Sequence, residues 1–333
     1  MLSIDARGRG APHRVPGLAI PVEQRSVRAG EEVYTRVLSS SSYDYSGCGV
    51  AGCSQGTVTN QRQGLVLAGL HGGHPRLVTR GGYDSEPAFS PDGSVIAYVS
   101  HRRPRWAQGM NIAVDVIALM DADGRQLGVV AAPGRDEEFH GLMWSPDSRS
   151  IAYERFDQAA LGASAQIVIR NLATGHRRVL SLPQPLRDLA WSPNGKYMVG
   201  VRDRQARLPG SGPAQYIGTG GDLWLVSLRT GVEKQLTYFA PEQPINFVSF
   251  CGNYGGVIPE VAQPRWSPDS RQIAYTSTYG YIHQLGDQQD IRVTDVATRS
   301  TRTVYHPAPM TCLHTGGEWL RGSYQAVSLL GWT

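Results

Sequence analysis

The chain has 333 residues and a formal net charge of only +4, with 39 glycines, 21 prolines and 18% charged residues. It is long enough to bury a large core, and it contains no apolar run long enough to form a transmembrane helix. The small net charge gives no general attraction to nucleic acid or membranes. Many glycines and prolines without long helical patterns favour short strands joined by turns.

Residues 1–30 are predicted to be an N-terminal extension, and residues 31–333 a single domain. The first residues are charged and lack the apolar core of a secretory signal. This predicts a cytoplasmic protein, or a periplasmic or secreted one if a signal was removed.

The four cysteines leave more than one interpretation open. Cys48 and Cys53 flank "GVAG" and could close a small loop, whereas Cys251 and Cys312 lie in connections between repeats. Unpaired thiols are the favoured interpretation, because disulfides are rare in cytosolic proteins. The spacing does not fit a usual zinc site.

One pattern occurs four times along the chain. An apolar segment ends in Trp or Phe, a Ser-Pro-Asp-Gly type turn follows, and a second apolar segment comes next. Two further short apolar segments then follow, separated by a turn. Four antiparallel strands per repeat predict a β-propeller blade. The four copies are "SEPAFSPDGSVIAYVS" (85–100), "HGLMWSPDSRSIAYER" (140–155), "RDLAWSPNGKYMVGVR" (187–202) and "AQPRWSPDSRQIAYTS" (262–277).

The two ends of the chain predict one more blade. Residues 31–40 read as its second strand and residues 64–80 as its third and fourth strands. The C-terminal Gly331-Trp332-Thr333 resembles the start of a repeat, so it is predicted to supply the first strand. This closure removes exposed sheet edges and gives five blades. A six-bladed propeller is the alternative.

The repeated residues have structural explanations. In the turn, Pro fixes φ, Asp bonds its following backbone and Gly accepts a positive φ. The aromatic residue before the turn is predicted to pack between blades. We therefore interpret Asp92 and its counterparts in the other copies as turn residues and not as catalytic acids; the counterparts are Asp147, Asn194 and Asp269.

These "WSPDG…IAY" motifs resemble the WD40-like propeller repeats of TolB and of the prolyl oligopeptidase family, over roughly residues 63–305. The resemblance implies a propeller fold. Too little chain remains beyond the propeller for the hydrolase domain that accompanies it in the peptidases, so no such domain is predicted. Propellers of this kind also include metal-dependent polysaccharide lyases.

Blade topology separates short turns from long connections. The turns after the first and third strands lie on one face. The connections after the second and fourth strands lie on the other, which we call the loop-rich face. Its predicted loops span 41–62, 101–111, 155–165, 202–222, 239–261, 277–290 and 306–323. Long loops are often functional, so this face is the predicted site.

The loop-rich face carries candidate ligand-binding and catalytic residues. Guanidinium groups suit carboxylates and phosphates, and aromatic rings offer stacking surfaces. The predicted ligand-binding residues are Arg103, Arg105, Trp106, Arg202, Arg204 and Tyr279. The candidate catalytic residues are His140, His283, Tyr281 and His306. No HxH or HxxxH pair occurs in these loops, so no metal site is predicted, and the sequence assigns no cofactor.

The sequence thus predicts a binding or scaffolding propeller. It would hold a protein, a peptide or an anionic small molecule on the loop-rich face, with nucleic acid disfavoured. The alternative is a lyase or hydrolase that acts on an anionic substrate, such as a uronate-containing saccharide, at the same face.

Overall fold

A computed structural model describes the protein over fifteen ranges and shows no regular element other than β-strands within them. The ranges are 2–3, 13–14, 25–28, 30–49, 52–69, 73–80, 83–102, 114–134, 137–157, 165–206, 217–239, 260–279, 288–305, 313–315 and 318–320. The chain forms two compact units, residues 16–179 and residues 1–15 with 180–333. Within the described ranges, no helix has the length and apolarity that crossing a membrane requires.

Five four-stranded antiparallel sheets make up most of the described chain. The short strands β1 (Leu2–Ser3) and β2 (His13–Arg14) pair before them. Blade one contains β3 (Arg25–Arg28), β4 (Glu31–Gly49), β5 (Gly52–Gly69) and β6 (Gly73–Leu77). Blade two contains β7 (Asp84–Phe89), β8 (Val95–Arg102), β9 (Val114–Asp121) and β10 (Gln126–Ala131). Blade three contains β11 (Glu137–Trp144), β12 (Ser150–Asp157), β13 (Ala165–Asn171) and β14 (Arg177–Ser181).

The remaining two blades lie in the second unit. Blade four contains β15 (Arg187–Trp191), β16 (Tyr197–Ala206), β17 (Ile217–Ser227) and β18 (Glu233–Gln235). Blade five contains β19 (Glu260–Trp266), β20 (Gln272–Tyr279), β21 (Gln288–Asp295) and β22 (Thr301–Tyr305). The pair β23 (Leu313–Thr315) and β24 (Glu318–Leu320) follows. The protein is an all-β, five-bladed β-propeller of four-stranded antiparallel blades, as the sequence predicts.

Blade one differs from the prediction in the origin of its first strand. The four strands of this sheet are β3 to β6, so β3 occupies the position assigned to the C-terminus. β3 pairs Arg25–Arg28 with Glu31–Tyr34 across a tight connection that includes Gly30 at φ +79°. Residues 331–333 lie outside the described residues. A local hairpin that begins within residues 1–30 therefore completes the sheet.

The predicted loop over residues 41–62 is also wrong, because most of it is strand. β4 and β5 remain paired as far as Gly49 and Gly52 and form a two-stranded ribbon. The Ser- and Gly-rich composition is typical of a loop, but the backbone ladder does not depend on those side chains. Likewise, residues 202–206 and 217–222 of a predicted loop extend β16 and β17.

Apolar cores fill the spaces between neighbouring blades in each unit. Val33 and Leu65 of blade one pack with Phe89 of blade two, and blade two packs in turn against Trp144. In the second unit, Trp266 belongs to the core shared by blades four and five. The Nε1 groups of both tryptophans donate to backbone carbonyls of the preceding blade, Trp144 to Ala88 at 2.9 Å and Trp266 to Ala190 at 3.0 Å. Phe89, Trp144 and Trp266 therefore join blades, as predicted.

The motif serine is the centre of each tight turn. In blade two, Ser90 Oγ donates to Asp92 Oδ1 at 2.6 Å and accepts the Val95 N–H at 3.0 Å, while Asp92 also accepts the Ser94 N–H. Blades three, four and five repeat this arrangement. These contacts confirm that the motif acids are turn residues.

Serine replaces glycine in two turns for a reason that the sequence alone does not show. Ser148 and Ser270 keep φ near +60°, although this conformation favours glycine. The hydroxyl of each accepts a backbone N–H from the turn of the preceding blade, that of Asp92 at 3.0 Å and that of Asn194 at 3.1 Å. The hydrogen bond of the hydroxyl thus links adjacent turns and offsets the strain of the positive φ.

A β-bulge interrupts the first strand of blades two to five at one equivalent position. Each bulge contains the residue three places before the motif aromatic, and that residue has a positive φ between 50° and 64°. Bulges of this kind bend a strand and redirect its side chains. The four residues are Glu86, Gly141, Asp188 and Gln263.

Candidate functional site

Only two of the ten predicted site residues have described side chains, Arg202 and Arg204. His140 lies on β11 opposite Glu154, and Tyr279 lies on β20 opposite Gln288. The others lie outside the described residues and stay predictions; they are Arg103, Arg105, Trp106, Tyr281, His283 and His306. The site can therefore be built from the described strand ends of the loop-rich face.

Arg202 is held inside blade four. Its side chain crosses the ring of Trp224, with the guanidinium carbon 4.2 Å from the ring centroid. It reaches Glu233 on the outer strand, where Nη2 lies 2.8 Å from Oε2, and it also donates to the Gln184 carbonyl at 3.2 Å. The side chains of Arg202 and Glu233 are only 10% and 9% exposed. This arrangement fits a structural ion pair better than a guanidinium group available to a ligand.

Arg204 is also engaged within blade four. Its Nε donates to Asp222 Oδ2 at 3.0 Å, its Nη2 donates to the Phe239 carbonyl, and its guanidinium lies over the ring of Tyr238 at 4.5 Å. The buried Asp222 in turn accepts the Phe239 N–H at 2.9 Å. Burial raises the pKa of Asp222 above its ordinary value, while the Phe239 N–H and the Arg204 charge act in the opposite direction. The cluster fixes the chain that follows β18.

A more exposed charged group lies where blades four and five begin. Arg187, at the start of β15, contacts three carboxylates: Asp188 at 3.0 Å, Asp203 at 2.8 Å and Glu260 at 3.7 Å. Asp203 and Glu260 are 57% and 64% exposed, so the group faces solvent. We call these four residues the Arg187 cluster.

The bulges help to build the Arg187 cluster. Asp188 is the bulge residue of blade four, and its carboxylate accepts the backbone N–H of Gln263, the bulge residue of blade five, at 3.3 Å. Strained residues at repeated positions are often found at functional sites. Here the bulge places an acid where it contacts both Arg187 and the next blade.

Blade two presents a histidine–carboxylate pair that sequence reasoning did not select. His101 Nδ1 lies 2.9 Å from Asp115 Oδ1, and the imidazole meets the ring of Tyr83 edge-on at 5.5 Å. His101 lies one residue before the end of β8 and Asp115 one residue after the start of β9, so both lie at the loop-rich face. A carboxylate on one ring nitrogen orients the imidazole and leaves Nε2 to face a reactant. The only signal in the sequence is that a His and an Asp flank one predicted loop.

In blade three, Arg155 occupies the position in the repeat that Arg202 occupies in blade four. Arg155 donates to Glu137 at 3.1 Å and to Gln166, while Glu137 also accepts the Gly134 N–H at 2.8 Å. This guanidinium, like those of Arg202 and Arg204, is held by its own blade. Among the described residues, no group of three or more His, Cys, Asp or Glu side chains is placed to hold a metal ion.

No family model and no curated protein sequence matches the chain. Among solved structures, a TolB from Agrobacterium tumefaciens shares 16% identity at a TM-score of 0.48, covering 75% of this chain and 76% of that one. The β-propeller domain of the Trilobed protease from Pyrococcus furiosus shares 13% identity at 0.44, covering 80% and 79%.

An oligogalacturonate lyase from Vibrio parahaemolyticus shares 15% identity at a TM-score of 0.45, over 66% of this chain. The chain spans about half the length of the lyases that it matches. At these identities the similarity is one of fold alone. The chain is structurally similar to TolB-like and acylaminoacyl peptidase propeller domains.

Proposed function

We propose that the protein is a binding propeller that holds a protein or peptide segment on its loop-rich face. The observation that carries this proposal is the Arg187 cluster, in which one partly exposed arginine contacts three exposed carboxylates. Alternating exposed charges of this kind suit the main-chain and charged groups of a peptide. The opposite ends of the blades offer tight turns whose polar groups already bond one another.

The sign of the ligand charge follows from which groups are already paired. Arg155, Arg202 and Arg204 bind acids of their own blades, whereas Asp203 and Glu260 are more than half exposed. The described part of the face therefore favours a basic or neutral segment. An acidic peptide or an anionic small molecule would depend on Arg103 and Arg105.

Fluorescence anisotropy with two labelled peptides tests the proposal. The peptides have equal length, one rich in Lys and one rich in Asp and Glu. We expect saturable binding of the Lys-rich peptide that weakens at least tenfold in the Asp203→Asn/Glu260→Gln variant. The matched control is Asp123→Asn/Glu31→Gln, which removes two carboxylates away from the cluster and should bind normally.

Binding of the acidic peptide alone, lost in Arg103→Ala/Arg105→Ala, would instead support the anion-binding form. If neither peptide binds, or if the control variant loses as much affinity as the cluster variant, the cluster does not bind a peptide segment.

The His101–Asp115 pair favours one alternative, a propeller enzyme acting on an anionic saccharide. An oriented imidazole can take a proton, as a lyase requires, or activate water, as a hydrolase requires. Incubation with an oligogalacturonate tests both reactions. Ultraviolet absorbance detects the unsaturated product of a lyase, and a reducing-end assay detects hydrolysis. We expect any such activity to fall at least a hundredfold in His101→Ala. Activity that persists unchanged in this variant would exclude His101 as the base.

A further inference from the structure

The ribbon formed by β4 and β5 brings two cysteines to facing positions. The ladder runs without interruption from Ser39 opposite Arg62 to Gly49 opposite Gly52, and it places Cys48 directly opposite Cys53. Facing residues of an antiparallel pair have Cα atoms about 4.5–5.5 Å apart. A disulfide requires about 4.4–6.8 Å. The backbone register therefore meets the distance that a disulfide needs.

We propose that Cys48 and Cys53 form a cross-strand disulfide that closes the ribbon. The neighbouring pairs in the ladder are Gly47 with Ser54 and Gly49 with Gly52, which are small residues that leave room beside the bond. This inference concerns a covalent link in the fold and is independent of the proposed ligand.

The position of the ribbon explains what the bond would do. β3 pairs with β4 only over Glu31–Tyr34, and β6 pairs with β5 only over Val66–Gly69. From the pair Ser39–Arg62 to the pair Gly49–Gly52 the described ladder has two strands, and two-stranded hairpins are marginally stable in water. Polar strands such as "SSSS" at 39–42 also specify their register weakly. A covalent link at the far end fixes the register and stabilises the ribbon.

Formation of this disulfide from two thiols requires a two-electron oxidant. The two thiols lose two protons and two electrons as the S–S bond forms, and a small disulfide such as oxidised glutathione accepts them and leaves as two thiols. The first thiolate attacks the small disulfide and releases one thiol. The second thiolate then displaces the other from the mixed disulfide.

Peptide mapping of the whole protein tests the bond directly. The protein is equilibrated with oxidised and reduced glutathione, denatured, alkylated and digested with trypsin. Cleavage after Arg36 and Arg62 releases a peptide that contains Cys48 and Cys53 but neither Cys251 nor Cys312. We expect this peptide to be unalkylated and lighter than its dithiol form by two hydrogen atoms. It should take two alkyl groups after reduction.

The Cys251→Ser/Cys312→Ser variant should give the same result, and Cys53→Ser should leave Cys48 open to alkylation. Two alkyl groups without reduction would overturn the proposal, and so would links from Cys48 to Cys251 or Cys312. Hydrogen exchange provides the second measurement. Reduction should raise exchange at least tenfold over residues 37–62, and unchanged exchange would overturn the stabilising role.

Discussion

Removal of the Arg202 guanidinium should destabilise the protein strongly. In Arg202→Met the side chain still covers Trp224, but Glu233 remains buried with no cation beside it. In the native chain, Arg202 Nε and Glu233 Oε1 are already buried without a hydrogen-bond partner among the described residues. Breaking a buried pair by removing one partner costs about 3–5 kcal/mol of unfolding free energy. Urea unfolding followed by tryptophan fluorescence measures this loss.

Two comparisons make the Arg202 experiment decisive. The double variant Arg202→Met/Glu233→Leu removes both charges, so it should lose less than the sum of the single variants by about 1–3 kcal/mol. Arg187→Ala is the matched control, because it removes the same group from the same blade. Its partners are exposed, so its loss should stay near 1 kcal/mol or less. If Arg202→Met loses no more than Arg187→Ala, the interpretation of Arg202 as a structural residue is wrong.

Three smaller effects should be measurable by the same urea titration. Trp266→Phe should cost about 1–2 kcal/mol, since the Ala190 carbonyl loses its donor; an unchanged midpoint would contradict the link between blades. Ser148→Ala should be less stable than Ser148→Gly by about 1 kcal/mol, since both lose the bond to Asp92 but only Gly relieves the positive φ; equal stability would contradict this. Hydrogen bonds from the motif serines lower the pKa of the turn acids, so their contribution is present above about pH 3.9 and is lost as pH falls through the lowered pKa. Changing these acids to Asn, which blade four already has at Asn194, removes that contribution. The variant should be less stable at pH 7 and should have a flatter acid side of the stability curve, and an unaltered acid side would refute this; the acids are Asp92, Asp147 and Asp269.

Local chemistry explains which parts of the fold could be predicted from the sequence. Proline, acid and glycine in a fixed order encode a turn whatever surrounds it, and the spacing of four such turns predicts the blades. The bulges have no such local signal. Glu86, Asp188 and Gln263 adopt a positive φ only because the pairing with the second strand requires an extra residue there. Gly141 at the equivalent place is the one sequence clue.

The candidate site was harder to predict because charge clusters in the sequence do not show which partners they meet. The acids that hold Arg202 and Arg204 come from β18 and β17, 31 and 18 positions along the chain. A stretch such as "RDRQAR" therefore looks available to a ligand while two of its guanidinium groups serve the blade. The His101–Asp115 pair could not be predicted for the same reason, since only the register of β8 and β9 brings its two residues together.

The contrast between Arg202 and Arg187 gives a general criterion for the loop-rich face. Both arginines bind carboxylates of blade four, but Arg202 does so beneath an aromatic ring, with its partner almost fully buried. A ligand would have to break that pair and leave a charge unpaired in the protein, which costs more than one exposed ionic contact returns. Arg187 and its acids can exchange partners in solvent at little cost, because each exposed pair contributes at most about 1 kcal/mol. Residues of the Arg187 type are therefore the ones able to recognise a ligand without unfolding the blade that carries them.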